Sequence, residues 1–254
     1  MKRSKLFFTA LLFLGILSSC EKDDDGGDQN ETSTYDVAIV FEPRMNGATA
    51  DLTAEYTDAY GRTLTFETIK YYLSNISFVN AKGETEVLDV ELIDHLADDL
   101  TGKFDNVAIA ESKKGTFSQI KFGLGLPPEV NAIDPSVYEN SHPLSALNGM
   151  YWGWATMYIF SKTEGRIDSD NDGVVDQSWF VHTGMDDLYR SGVTVDRDFT
   201  VTGKNDTVTV YLDLEKYFLL NSDTADLVVD GQSHTTDNFD LAEDFTDRLE
   251  AMFY

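Results

Sequence analysis

One run of residues in this chain has the types and spacing of a cation-binding loop. Residues 168–176 read DSDNDGVVD, which matches the first nine positions of an EF-hand-type calcium loop, with Gly173 at the sharp turn. Position twelve holds Trp179 instead of the bidentate glutamate, so we predict a free-standing calcium loop that fixes a turn. The predicted oxygen ligands are the side chains of Asp168, Asp170, Asp172 and Asp176 and the backbone carbonyl of Val174.

Two alternatives stay open for this loop. Asp186 or Asp187 could supply the missing distal oxygen, or the run could be an acidic turn that binds no ion.

The imidazole and indole side chains are the second group that could do chemistry. The chain has four histidines, His95, His142, His182 and His234, and imidazole is a suitable ligand for copper and related metals. No two of them stand at H-x-H or H-x-x-x-H spacing, so spacing alone selects no metal site. Cys20 is the single cysteine, which excludes a disulfide within the chain.

The apolar stretch 149–160 (GMYWGWATMYIF) contains two of the three tryptophans, Trp152 and Trp154. Its alternate residues are apolar on both faces, which predicts a central strand covered on both sides. A helix of this length is the alternative, but two glycines and five aromatic residues favour a strand. The two tryptophans then either fill the core or serve a functional site.

Around this stretch the pattern indicates a mainly β fold, specifically an antiparallel β-sandwich formed by residues 35–254 as a single domain. Predicted strands cover residues 35–43, 104–110 and 116–124; a strand or short helix covers 66–72; hairpins cover 73–93 and 193–214. Residues 126–148 hold four of the five prolines and predict a long loop. Residues 240–253 predict an amphipathic C-terminal helix, capped by Thr235, Thr236 or Asp237.

The N-terminus has the features of an export signal. Lys2, Arg3 and Lys5 precede a short apolar segment that ends in Leu-Ser-Ser-Cys, which resembles a bacterial lipobox. We predict a signal peptide over 1–19, a lipid on Cys20 that attaches the chain to a membrane, and an acidic tether over 20–34. The acidic run after Cys20 resembles a surface-export tag, which predicts an outer-membrane lipoprotein facing outward; a signal cut elsewhere and a plain solvated tether are the alternatives.

Charge and motifs exclude several functions. The formal net charge of −26 repels phosphates, so we predict no nucleic-acid partner. The chain contains no G-x-S-x-G, H-E-x-x-H or phosphate-loop motif, and we predict that it is not an enzyme.

Four stretches together resemble the MbnP-like copper-binding protein family. In chain order they are YLSNI at 72–76, KFGLG at 121–125 leading to Asn131, MYWGW at 150–154 continuing to YIFSKTEG at 158–165, and VHTG at 181–184. Ser233-His234 and the helix that follows also fit the family's ending, and the resemblance covers residues 36–254.

The resemblance implies a copper site built from histidines and a tryptophan oxidised to kynurenine by a partner protein. By position it implies His182 and His234 as ligands, with His142 in reserve, and Trp152 or Trp154 as the oxidised residue; His95 reads as structural. The resemblance also leads us to expect a histidine close to the modified tryptophan, as in some relatives, but two positions after Trp152 this chain has Trp154. The competing hypothesis is a calcium-stabilised surface lipoprotein that binds a glycan or a protein, without copper, through aromatic residues such as Tyr138.

Overall fold

A computed structural model describes residues 33–96 and 105–254 of the chain. The predicted signal peptide, Cys20 and the tether up to residue 32 lie outside the described residues, as does the first residue of the predicted 104–110 strand. Ser33–Tyr254 forms one compact unit. Within the described ranges, no helix is long and apolar enough to cross a membrane.

Fifteen strands and three helices make up the described part of the chain. The strands are β1 (Tyr35–Met45), β2 (Ala48–Thr49), β3 (Tyr56–Thr57), β4 (Thr63–Asn80), β5 (Gly83–Asp94), β6 (Val107–Ser112), β7 (Gly115–Leu124), β8 (Tyr151–Trp152), β9 (Met157–Ile167), β10 (Gln177–Gly184), β11 (Arg190–Val201), β12 (Asp206–Asp213), β13 (Leu219–Leu220), β14 (Asp223–Thr224) and β15 (Gln232–His234). The helices are α1 (Pro128–Asn131), α2 (Glu215–Phe218) and α3 (Phe239–Met252), with 3₁₀ turns at Pro135–Val137, Ala146–Asn148 and Asp186–Leu188.

The strands form two main sheets, and both are mixed. In the small sheet β1 pairs with β12 in parallel and with β6 and β2 antiparallel. The large sheet runs in the order β11-β7-β4-β9-β10-β15, with β3 and β5 on β4 and β8 on β9; its β10–β15 pair is parallel. The prediction of a mainly β fold with a long proline-containing loop and a C-terminal helix is confirmed.

The main core lies between the two sheets. In β1 the alternate residues Val37, Ile39 and Phe41 are fully buried, as the period-two pattern predicted. They join buried side chains of the large sheet, including Trp179 and Val181 of β10, in one cluster. The burial of apolar side chains on the inner faces of both sheets is the main favourable contribution to the stability of such a fold.

β4 and β5 form the predicted hairpin over 73–93, but β4 is one strand of 18 residues, without a break near Tyr72. The register of β4 shifts between Ser74 and Ser77, where Asn75 has a φ of +51°, so the strand contains a bulge there and continues beyond it.

The predicted hairpin over 193–214 is wrong. β11 pairs with β7 in the large sheet, whereas β12 pairs with β1 in the small sheet. The turn between β11 and β12 takes the chain from the large sheet to the small sheet. The Asp206 carboxylate orders this turn by accepting hydrogen bonds from the backbone N–H groups of Thr202, Gly203 and Lys204. Alternation identifies a strand with one buried face but does not say which sheet that strand joins.

The single strand predicted over 149–160 is also wrong. β8 ends at Trp152, residues 153–156 form a turn, and β9 begins at Met157 with a φ of +64°. The N–H of Ala155 donates to the carbonyl of Trp152 at 2.9 Å and closes the turn. The expectation of a central strand holds for β9, which lies between β4 and β10.

The outer face of the large sheet carries a second, smaller cluster beneath the 126–148 loop. Successive residues of a strand point to opposite faces, so Tyr71 belongs to the main core while Tyr72 belongs to this outer cluster. Leu126 and Leu144 of the loop pack there against Tyr158 and Phe160 of β9. The loop therefore buries part of the outer face, and no residue of β10 or β15 belongs to this cluster.

α3 buries Phe245, Leu249 and Met252 against the main core, as its spacing predicted. The residue that caps it is Asn238, whose side chain accepts from the N–H of Leu241, not one of the three predicted capping residues.

Candidate metal site

His182 and His234 lie side by side on the outer face of the large sheet. β10 and β15 are parallel, and their register pairs His182 directly with His234. Residues paired in this way project from the same face at nearly the same level, and the two imidazole centroids are 5.2 Å apart. Trp179 and Val181 point into the core, so alternation directs His182 outward, away from the sandwich interior.

Trp152 reaches the same place from β8. Its ring centroid is 5.2 Å from that of His182 and 5.3 Å from that of His234, so the three rings contact one another in all pairs. The turn that follows Trp152 runs close to Tyr151, since a Cβ on Gly153 would come within 3.0 Å of the Tyr151 ring. Two histidines and one tryptophan, separated by up to 82 positions in the chain, thus form one cluster.

Two further aromatic residues border the cluster. Trp154 stacks on Trp152 with a centroid separation of 5.7 Å and an interplanar angle of 26°, and it is 78% exposed. Phe180 packs beside His234 at 4.5 Å between centroids. Trp154 is therefore a solvent-facing neighbour of the cluster and contacts it through Trp152.

His182 is buried and is held by a carboxylate. Only 4% of its surface is exposed, and its Nε2 lies 2.8 Å from Oε1 of Glu164 on β9. The hydrogen bond with His182 lowers the pKa of Glu164 to about 2, helped by Lys162 at 3.3 Å and the hydroxyl of Thr68 at 3.0 Å. Burial in turn lowers the pKa of His182.

The other ring nitrogen of His182, Nδ1, is buried without a hydrogen-bond partner. Buried polar atoms in proteins are nearly always satisfied, and leaving one unpaired costs about 1–3 kcal/mol. Such an atom needs an explanation, and a bound ion is one that suits an imidazole lone pair.

His234 is held in a similar way, through its opposite nitrogen. Its Nδ1 lies 2.9 Å from Oδ2 of Asp237, whose Oδ1 accepts the backbone N–H of His234 at 2.7 Å. Burial opposes ionisation of Asp237, but these hydrogen bonds outweigh it and its pKa is lowered. The side chain of His234 is 39% exposed, so the cluster is open to solvent on this side.

This donor set fits a copper ion. Two neutral imidazoles are ligands that copper and other late transition metals favour, whereas hard cations prefer carboxylate and carbonyl oxygens. The unpartnered Nδ1 of His182 is a second reason, since a metal would satisfy it. His182 and His234 would hold the ion, and the bound copper would be redox-active.

The remaining histidines lie elsewhere. His95 bonds through Nε2 to the hydroxyl of Tyr71 at 2.9 Å, and burial lowers its pKa to about 3. His142 stacks on Tyr138 in the 126–148 loop, 4.2 Å between centroids, and its Nδ1 accepts from the N–H of Leu144. Tyr138 packs against the outer cluster and is only partly exposed, so it forms no free-standing aromatic platform.

The acidic loop connects β9 to β10, where the sequence predicted a turn. Carboxylate oxygens of Asp168, Asp170 and Asp172 lie within 4.8 Å of one another. The backbone N–H of Gly173, with φ at +91°, donates to Asp168 at 2.8 Å. Asp176 falls outside this group of three and accepts from the Ser169 hydroxyl.

The two other predicted contributors to this loop differ in how they are placed. The N–H of Val174 donates to the Asp172 carboxylate at 2.8 Å, and the Val174 side chain is exposed. Asp186 accepts a hydrogen bond from the side-chain amide of Asn131 at 2.9 Å. This bond links the 3₁₀ turn of Asp186 to α1.

Glu164 and Asp237 are the functional candidates that sequence reasoning missed. His234 and Asp237 have the i, i+3 spacing of a local contact, which is visible in the sequence once His234 is suspected. Glu164 gives no such signal, because its contact with His182 depends on the register in which β9 pairs with β10.

Comparison with known proteins defines the class. The MbnP family model matches residues 34–237, which is most of the chain, and the chain therefore belongs to the MbnP family. Among solved structures it is similar to MbnP from Methylosinus trichosporium, with a TM-score of 0.53 and 19% sequence identity over 80% of this chain and 82% of that one. At this identity the likeness establishes a shared fold. No curated protein matches the chain significantly.

Proposed function

We propose that this chain is an outer-membrane surface lipoprotein that binds copper for acquisition or handling, through His182, His234 and an oxidised Trp152. The observation that carries the proposal is the cluster itself: two imidazoles paired across β10 and β15, both in contact with one indole, with Nδ1 of His182 buried and unpartnered. Membership of the MbnP family supports it.

Trp152 is the better candidate for oxidation than Trp154. An intact indole N–H is a donor only and cannot ligate a metal, whereas ring opening to kynurenine creates an aniline nitrogen and a carbonyl oxygen. A ligand has to lie beside the other ligands, and Trp152 contacts both imidazoles. Trp154 contacts Trp152 on the solvent side and reaches neither imidazole ring in the described contacts.

The oxidation needs a reagent that the described residues do not supply. The proposal therefore includes a tryptophan-oxidising partner protein, which would approach the open side of the cluster, where Trp154 and His234 are exposed.

The remaining parts of the proposal concern attachment and the acidic loop. A lipid on Cys20 would attach the domain to the membrane through the 20–34 tether, with the domain facing outward. Calcium held by Asp168, Asp170 and Asp172 would fix the β9–β10 connection, since these carboxylates already converge. β9 and β10 carry Glu164 and His182, so the loop joins the two strands that form the buried half of the metal site.

The test is metal analysis of natively isolated mature protein, together with mass spectrometry of the peptide containing Trp152 and Trp154. We expect bound copper and a product on Trp152 that has lost one carbon atom and gained one oxygen atom. Calcium alone with both tryptophans intact, in protein isolated from cells grown with copper, would contradict the proposal and favour a calcium-stabilised scaffold with another ligand. Protein carrying the H142Q substitution is the matched control and should retain copper, because His142 stacks on Tyr138 and its Nδ1 already accepts from the N–H of Leu144.

A further inference from the structure

The two histidines of the cluster are each bonded to a carboxylate, but through different ring nitrogens. Glu164 contacts Nε2 of His182 at 2.8 Å, and Asp237 contacts Nδ1 of His234 at 2.9 Å. A carboxylate accepts hydrogen bonds only, so a neutral imidazole beside it must place its proton on the contacted nitrogen.

This chemistry sets opposite tautomers for the two rings. His182 carries its proton on Nε2, and the lone pair of Nδ1 is left free and buried. His234 carries its proton on Nδ1, and the lone pair of Nε2 is left free. Each imidazole thus has one nitrogen ready for a metal before any metal arrives.

The carboxylates are themselves fixed in place. Oε2 of Glu164 accepts from the Thr68 hydroxyl on β4, and Oε1 is also near the Lys162 ammonium. Oδ1 of Asp237 is held by the backbone N–H of His234, in the short connection between β15 and α3. Neither carboxylate is free to turn toward a metal without breaking these contacts.

We propose that Glu164 and Asp237 are positioning residues that set opposite tautomers of His182 and His234, so that copper is bound by Nδ1 of His182 and by Nε2 of His234. This inference rests on the proposed function for the identity of the metal, but the tautomers are a property of the metal-free protein. Outer carboxylates that orient histidine ligands typically raise metal affinity by roughly 10–100-fold.

The sharper test is the substitution D237N, read by nitrogen NMR of the imidazole rings in metal-free protein. If the amide oxygen of the new side chain keeps the bond to the backbone N–H of His234, its NH₂ group faces Nδ1 and donates to it. His234 should then move its proton from Nδ1 to Nε2, which removes the lone pair needed by copper. We expect this tautomer shift and a loss of copper affinity of roughly 10–100-fold.

The second variant is E164A, which removes the acceptor beside His182. We expect the hydrogen-bonded Nε2–H proton of His182, which should exchange slowly in the wild type, to be lost from the proton spectrum, with a similar loss of copper affinity. D230N removes one negative charge, as D237N does, at an exposed aspartate that is not a member of the cluster, so it controls for general attraction of cations to an acidic chain.

An unchanged His234 tautomer in D237N, with copper affinity within about twofold of the D230N control, would overturn the inference. Opposite tautomers in a wild type that binds no copper would contradict the proposed function while leaving the positioning by carboxylates intact. If D237N folds poorly, E164A and the wild-type tautomers still decide the question, since an Nδ1-protonated His182 in the wild type would itself be contrary to the inference.

Discussion

His182 and His234 occupy the same register position on two adjacent parallel strands, 52 residues apart in the chain. Parallel pairing places their side chains on one face at one level, which no local spacing of histidines could indicate. The pair is the centre of the candidate metal site.

Removing either histidine should sharply weaken copper binding. We expect H182Q and H234Q each to lower copper affinity by more than the roughly 10–100-fold that follows loss of an orienting group, because each removes a ligand. Isothermal titration of the metal-free variants with copper, in the presence of a competing chelator, measures this. H142Q should bind as the wild type does, and equal affinities for all three variants would place the copper elsewhere.

Calcium should stabilise the domain through the acidic loop. At a concentration about 100-fold above its dissociation constant, a ligand that binds only the folded state adds about 2.7 kcal/mol. We therefore expect thermal unfolding to shift upward by roughly 5–10 °C with calcium. D170N should abolish the shift, because Asp170 is exposed and contributes a carboxylate to the group of three. D230N should preserve it, and a calcium shift that survives D170N would speak against this loop.

Gly165, beside Glu164 on β9, should not tolerate a side chain. A Cβ there would clash with the backbone carbonyl of Thr65 and lie 2.6 Å from the Trp179 ring. We expect G165A to lower the free energy of unfolding by about 3 kcal/mol through overpacking, measured by urea denaturation. G115A is the matched strand control: its Cβ would meet nothing closer than 3.4 Å, so it should lose about 1 kcal/mol or less. Equal losses would show that the close approach at Gly165 is relieved by small shifts.

Glu91 on β5 should make stability fall with rising pH. Burial raises its pKa to about 7, and the nearby Asp105 carboxylate adds to this, although the Leu92 N–H opposes it. Between the unfolded pKa of about 4.3 and this folded value, the folded state holds the proton more tightly, so its stabilising contribution is lost as pH rises through that window.

E91Q keeps the shape and removes this titration. We expect E91Q to gain stability relative to the wild type between pH 5 and pH 8, by about 1–3 kcal/mol, in urea denaturation at both pH values. E86Q, at an exposed position of the same strand, should show no such change. A difference between wild type and E91Q that is the same at both pH values would contradict the assignment.

The features that could be predicted from the sequence were those encoded locally. Alternation over a few residues located β1 and β7, helical spacing located α3, and the D-x-D-x-D-G run located a turn whose three carboxylates converge. Each depends on neighbours within one element, and side-chain periodicity reports those directly.

The predictions that failed concern features that depend on pairing between distant segments of the chain. Whether β12 joins β11 or β1 is decided by the shape of the whole core, and alternation is the same in both cases. The turn after Trp152 was hidden because Gly153, Ala155 and Met157 also fit a strand pattern, and the bond from the Ala155 N–H to the Trp152 carbonyl that closes the turn leaves no trace in that pattern. Glu164 was missed for the same reason, since its role exists only in the β9–β10 register.

β15 is three residues long and lies at the edge of the large sheet. Short edge strands separate from a sheet at lower free energy than the global unfolding of the domain. Detachment of β15 would carry His234 and Asp237 away while His182, Glu164 and Trp152 remain on the larger body of the sheet. A metal held between them would then lose one imidazole in a single local event, so the lifetime of the loaded state would be governed by how often this strand opens.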